Sequence, residues 1–104
     1  MADFVKVADL ADVSPGEMTL VDFQGRDVTL ANVNGTIYAF GDTCTHMGGR
    51  LSQGLLEDAI VTCPFHAGRF DVTSGEAVAA PPTEKLTTYP VRVNDGGEIQ
   101  LSAP

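Results

Sequence analysis

The chain has 104 residues, 43% of them hydrophobic, with 11 Gly and 6 Pro, a size and composition that give one domain with a modest core and exclude disorder. Asp and Glu number 14 against 6 Lys and Arg, for a net charge of −8. That balance argues against nucleic acid or an anionic membrane surface as partner and is compatible with docking on a basic protein face.

In chain order, "MADFVKVADLADV" carries Asp3, Lys6, Asp9 and Asp12, too many charges for an apolar signal core. A short helical turn is expected over Ala8 to Val13. Apolar runs elsewhere, such as Ala77 to Ala80, are too short to cross a bilayer. The protein is therefore expected to be soluble and cytoplasmic, where paired cysteines more often mean metal than disulfide. From Glu17 the hydrophobic period is two, which predicts strands. "EMTLVDF" is followed by the turn Gln24-Gly25 and by "RDVTLANV", in which Val28 and Leu30 alternate with Asp27 and Thr29 as in a half-buried strand. Asn34-Gly35 signals a two-residue hairpin, with "TIYAF" returning. Near the C-terminal end Tyr89, Val91 and Val93 alternate, Asp95-Gly96-Gly97 turns, and Ile99 and Leu101 resume the pattern.

Between these ends lies a Gly-rich region with one apolar run, "AIVTC", leading into Cys63. No repeat, linker or low-complexity tract is present. The expected fold is all-β, one domain over residues 1–104. It is a small antiparallel β-sandwich whose strands hold a loop-rich subdomain at about residues 41–82 that carries the site.

Both cysteines and both histidines fall in "CTHMGGRLSQGLLEDAIVTCPFH". The spacing is Cys44-x-His46, sixteen residues, then Cys63-x-x-His66. Two short pairs separated by a long stretch fit two loops closing on a shared metal centre. A Cys44–Cys63 disulfide would leave both histidines idle, and two buried cysteines beside surface histidines would leave the spacing unexplained. Structural zinc suits thiolate and imidazole ligands. However, the familiar finger places a Cys pair before a His pair on a helix, whereas here the order alternates and the flanks are strand-like.

"CTHMGGRLSQG" followed by "CPFHAGRFDVTSGEA" closely resembles the two cluster-binding boxes of Rieske iron–sulfur proteins. The resemblance spans nearly the whole chain and implies the Rieske fold with one [2Fe-2S] cluster per chain. It implies that Cys44 and Cys63 bind one iron, and that His46 and His66 bind the other through a ring nitrogen each. "APP" at Ala80 to Pro82 is similar to the family's proline loop, which packs over the cluster. Gly48, Gly49 and Gly68 suit close backbone approach, with N–H groups donating to sulfur. The ligand set agrees with redox chemistry: two ferric ions, two sulfides, two thiolates and two neutral imidazoles sum to zero charge. Reduction of that centre is easier than reduction of an all-thiolate cluster.

The departures within the boxes narrow the class. The respiratory form has a further cysteine in each box, joined as a disulfide; here those positions are Met47-Gly48-Gly49 and Phe65. A Rieske oxygenase needs a second iron on two histidines and a carboxylate, and both histidines here are committed. No Gly-rich dinucleotide motif is present either. The chain is thus similar to the small Rieske ferredoxins of bacterial aromatic-ring-hydroxylating dioxygenase systems, which are not enzymes themselves. The resemblance implies a flavin-dependent reductase and a terminal Rieske oxygenase as partners, and a monomer. Arg50, Arg69, Phe65 and Met47 would contribute to the docking surface. The alternatives are the small subunit of an assimilatory nitrite reductase, and a zinc or redox-sensing binding module. The respiratory form also has Ser and Tyr hydroxyls donating to the cluster and its thiolate, where this chain has Gly68 and Phe70. Without those donors the reduced state is less stabilised, so a redox titration is expected to give a midpoint at the low end of the family range, about −150 mV. A midpoint well above zero would contradict it.

Overall fold

The computed structural model describes residues 4–42, 50–64, 68–79 and 85–103. β1 (Val5–Asp9) leads into a single 3-10 turn, Leu10–Asp12, within the segment where a helical turn is expected. β2 (Met18–Phe23), β3 (Arg26–Val33) and β4 (Thr36–Gly41) follow as two hairpins. Their turns have left-handed backbone at both central residues, Gln24 (φ 54°) with Gly25 (81°) and Asn34 (54°) with Gly35 (95°). That geometry matches the twist of the flanking strands, and glycine tolerates it at the second position without strain. Asn32 secures the second turn: its Oδ1 accepts from the Gly35 amide at 2.8 Å while its Nδ2 donates to the Val13 carbonyl at 2.9 Å.

After a 3-10 turn at Leu51–Gln53 come β5 (Leu55–Glu57), β6 (Ile60–Thr62), β7 (Arg69–Asp71) and β8 (Ala77–Ala79), then β9 (Thr88–Tyr89), β10 (Val91–Val93) and β11 (Glu98–Leu101). The strands form three antiparallel sheets, ordered β1-β11-β10, β2-β3-β4-β9 and β5-β6-β7-β8. The last sheet lies inside the segment that reads as loops. Its strands have three residues each, too few for alternation to register. In β1 the pairing shifts register between Lys6 and Ala8, which breaks the period of two there as well.

Side-chain alternation in the β2-β3-β4-β9 sheet makes it the middle layer. Val28, Leu30, Ile37 and Ala39 pack with Val13, Phe23, Tyr89, Ile99 and Leu101 in one core. Ala31 and Phe40, on the opposite face, pack with Leu51, Val61, Cys63, Phe70, Val72 and Leu86 in a second. β3 is therefore buried on both faces, and Thr29, expected to face water, is fully buried. The all-β sandwich expectation holds for the first core, with the short-strand sheet packed against the sandwich's other side. Leu30 is 0% exposed. Leu30→Ala is expected to cost about 2–5 kcal/mol in urea unfolding. Val93→Ala, at a 39% exposed site, is expected to change stability by no more than about 0.5 kcal/mol.

Candidate metal centre

The first Cys/His box leaves the fold at the end of β4. Asp42, 2% exposed, is tied at every polar atom. Its amide donates to the Asp27 carbonyl at 3.1 Å, and its own carbonyl accepts from the Leu51 amide at 2.7 Å. Its Oδ1 accepts from Thr29 Oγ1 and from the Ser52 amide, both at 2.8 Å. Its Oδ2 accepts from Arg50 Nη1 at 3.0 Å, and Arg50 Nη2 lies 3.3 Å from Asp27 Oδ2. Burial works against ionisation of Asp42, yet the hydrogen bonds from Ser52 and Thr29 and the charge of Arg50 outweigh it, so the carboxyl titrates below its ordinary value. These contacts join residue 42 to residues 50–52 and close the neck of the segment that carries Cys44 and His46.

The second box leaves from β6. Cys63 follows Thr62, is 2% exposed and belongs to the second core. Its amide donates to the Gly68 carbonyl at 2.8 Å, closing the segment that carries His66. Phe70 pairs with Val61 across β6 and β7 and is fully buried, so an apolar ring fills this part of the core beside Cys63. The flank after Ala80 to Pro82 is anchored in the same way. The Leu86 amide donates to the Gly75 carbonyl at 2.8 Å, and the Gly41 amide to the Thr87 carbonyl at 2.9 Å.

Leu51, Cys63 and Leu86 thus root the flanks of three separate segments in one buried core. Gly54 brings the first two flanks together: a Cβ there would overlap the Thr62 carbonyl oxygen, one residue before Cys63. Of the expected ligands, Cys63 is described and sits at this junction. Cys44, His46 and His66 lie outside the described residues, as do Met47, Gly48, Gly49, Phe65 and Ala80 to Pro82. Arg69 is exposed on β7, while Arg50, expected on a docking surface, is held by two aspartates though 48% of its side chain is exposed. Sequence reasoning missed Thr29, Asp42, Ser52 and Gly54. Asp42, just ahead of the first box, is the one of them with a local signal.

The donors fit an iron–sulfur centre. Cys63, a soft thiol at a strand end and shielded by core, is of the donor type that such a centre takes, and backbone hydrogen bonds fix the necks of the segments beside it. A family model for the Rieske [2Fe-2S] domain matches residues 3–90. The chain belongs to this family. A Rieske chain carries a [2Fe-2S] cluster, which replaces the zinc reading. Among relatives, it is 39% identical over 92 residues to the ferredoxin component of the naphthalene 1,2-dioxygenase system of Pseudomonas putida, covering 88% of each chain. It is 44% identical over 96 residues to the 3-phenylpropionate/cinnamic acid dioxygenase ferredoxin subunit of Escherichia coli (strain K12), covering 91% of this chain and 89% of that one. A solved complex of reduced oxygenase and oxidized ferredoxin in carbazole 1,9a-dioxygenase contains a chain that matches with TM-score 0.89 and 34% identity, over 95% of this chain and 92% of that one. Nitrite reductase small subunits match at 24% and 22% identity, a likeness that carries the fold alone. No helix among the described residues is long and apolar enough to cross a membrane.

Gly54→Ala is expected to push the Leu51–Gln53 turn off β6. The expected outcome is protein with less bound iron and sulfide per chain and a lower melting temperature, read by elemental analysis and thermal unfolding. An unchanged iron content and melting temperature would show that the close approach is dispensable.

Proposed function

We propose that this chain is the ferredoxin component of an aromatic-ring-hydroxylating dioxygenase system. In this reading Cys44 and Cys63 hold one iron and His46 and His66 the other, within a cluster-binding subdomain of about residues 41–82. The bound cluster supplies a one-electron couple. The protein's own residues hold the ligands, keep water from the thiolate side and leave the histidine side near solvent. The carrier takes one electron at a time from a flavin-dependent reductase and delivers it to the Rieske centre of a terminal oxygenase. Both partners dock in turn at the end of the molecule formed by the two boxes. It acts in aromatic catabolism, as a cytoplasmic monomer.

The observation that carries this reading is the common root of both boxes, Leu51 and Cys63 in one core. It brings the flanks of the two boxes together, in a chain whose relatives at 39% and 44% identity are named ferredoxin component or ferredoxin subunit of dioxygenases. The carbazole dioxygenase complex supports the oxygenase as one partner. The naming of a relative as one component of a dioxygenase system supports a reductase as the other.

The test adds purified holoprotein to the reductase and terminal oxygenase of the naphthalene and 3-phenylpropionate systems, each lacking its own ferredoxin. NADH-dependent ring hydroxylation is expected to return in at least one. Failure in both, where the native ferredoxins restore turnover, would overturn the function. Ligation is read separately: Cys63→Ser and His46→Ala are expected to lose the visible absorption. The reduced wild type is expected to give an EPR signal of lower average g than all-thiolate clusters.

A further inference from the structure

Asp42 draws its side-chain partners from two separate parts of the chain, Thr29 on β3 and Arg50 with Ser52 on the limb returning from the first box. The ion pair is uneven. Asp42 has a side chain 2% exposed, whereas that of Arg50 is 48% exposed and divided between Asp42 and Asp27. Solvent and salt screen the positive end, while the negative end lies inside, where charge acts over longer range. The buried end is also the one two residues from Cys44. Reduction adds one negative charge to the neighbouring centre, so a fixed anion there opposes it and a fixed cation assists it.

We propose that the Asp42–Arg50 pair is a positioning and tuning element for the [2Fe-2S] centre: it fixes the loop that carries Cys44 and His46, and its buried negative end favours the oxidised cluster. The proposal rests on the ligand assignment made under the proposed function. Asp42 and Arg50 are positioning residues, since they act through the loop and through their field. The two charges pull the potential in opposite directions, whereas loss of packing alone gives no opposed pair of shifts.

Midpoint potentials are measured for purified Asp42→Asn and Arg50→Gln holoproteins, together with the rate at which an iron chelator bleaches the visible band. The potential is expected to rise in Asp42→Asn and to fall in Arg50→Gln. Both variants are expected to lose the cluster about tenfold faster than wild type. Arg92→Gln removes the same charge from β10, on the far side of the middle sheet, and is expected to change neither reading. Shifts of the same sign, or shifts no larger than that of Arg92→Gln with unchanged bleaching, would overturn the proposal. If Asp42→Asn does not accumulate as holoprotein, Arg50→Gln and Asp27→Asn carry the test. Asp27→Asn loosens Arg50 and removes a more exposed anion, so it is expected to raise the potential slightly and to speed bleaching; a fall with unchanged bleaching would count against the pair. Failure of the ligand assignment is separable, because it shows as a wild type without the visible band or a Cys44→Ala variant that keeps it.

Discussion

A buried carboxylate persists only where donors replace the water it has lost, and Asp42 has them from three directions. The donors belong to two separate parts of the chain, β3 and the limb at Arg50 to Ser52, so satisfying the charge fixes those parts to one another. Thr29 ties Asp42 to the middle sheet, the Ser52 amide ties it to the 3-10 turn at Leu51–Gln53, and Arg50 closes over the top. Moving the limb after the first box would expose or unpair a charge inside the protein, which costs more than most local rearrangements return. Both necks have a backbone hydrogen bond and a residue in the second core, Leu51 or Cys63; the first neck adds the buried charge of Asp42 and its partners.

What delivers Asp42 to this point is the register of one hairpin. The left-handed Asn34-Gly35 turn sets β3 against β4 with Val33 opposite Thr36, and counting back along the ladder places Val28 opposite Gly41. Asp27 and Asp42 then fall beside each other, joined through the backbone, with two like charges that repel unless a cation bridges them. Arg50 is that cation. A slip of one residue would turn Thr29 to the first core and remove the donor from Asp42. A tight turn eight residues before Asp42 thus governs the neck of the first box through the geometry of a strand pair. The second core completes the mount, because a close-packed interior does not deform gradually, and a one-electron carrier works best when its centre moves little between oxidation states.

The sequence was legible where chemistry and geometry are local. The two boxes stand out because all four Cys and His residues lie within one stretch, and the hairpins because glycine marks the left-handed turn positions. The three-residue strands β5 to β8 were not legible, since alternation over three positions carries almost no signal and a register shift falls between Arg69 and Phe70. Thr29 read as the polar face of a half-buried strand because nothing nearby says that a second sheet covers it. Arg50 read as a surface cation and is exposed, but its pairing was not legible: Asp27 is distant in sequence, and only the β3–β4 ladder brings it within reach. Gly54 was one glycine among 11, and its role depends on the Thr62 carbonyl of another strand.

The net charge of −8 suggests at first that acidity as a whole sets the cluster's field. The distribution of that charge argues otherwise. Most of the described carboxylates, such as Asp9, Asp12, Asp22, Glu57 and Asp95, are exposed, and at physiological salt their influence fades within about 8 Å. Glu98 and Asp9 are further offset by Lys6, at 3.3 and 3.2 Å. Asp42 is the only buried carboxylate among the described residues, and it stands just ahead of the segment that carries Cys44 and His46. Composition therefore bears on how the protein meets its partners, which approach through salt water. Burial decides which of these charges is least screened, and only the fold reveals that it is Asp42.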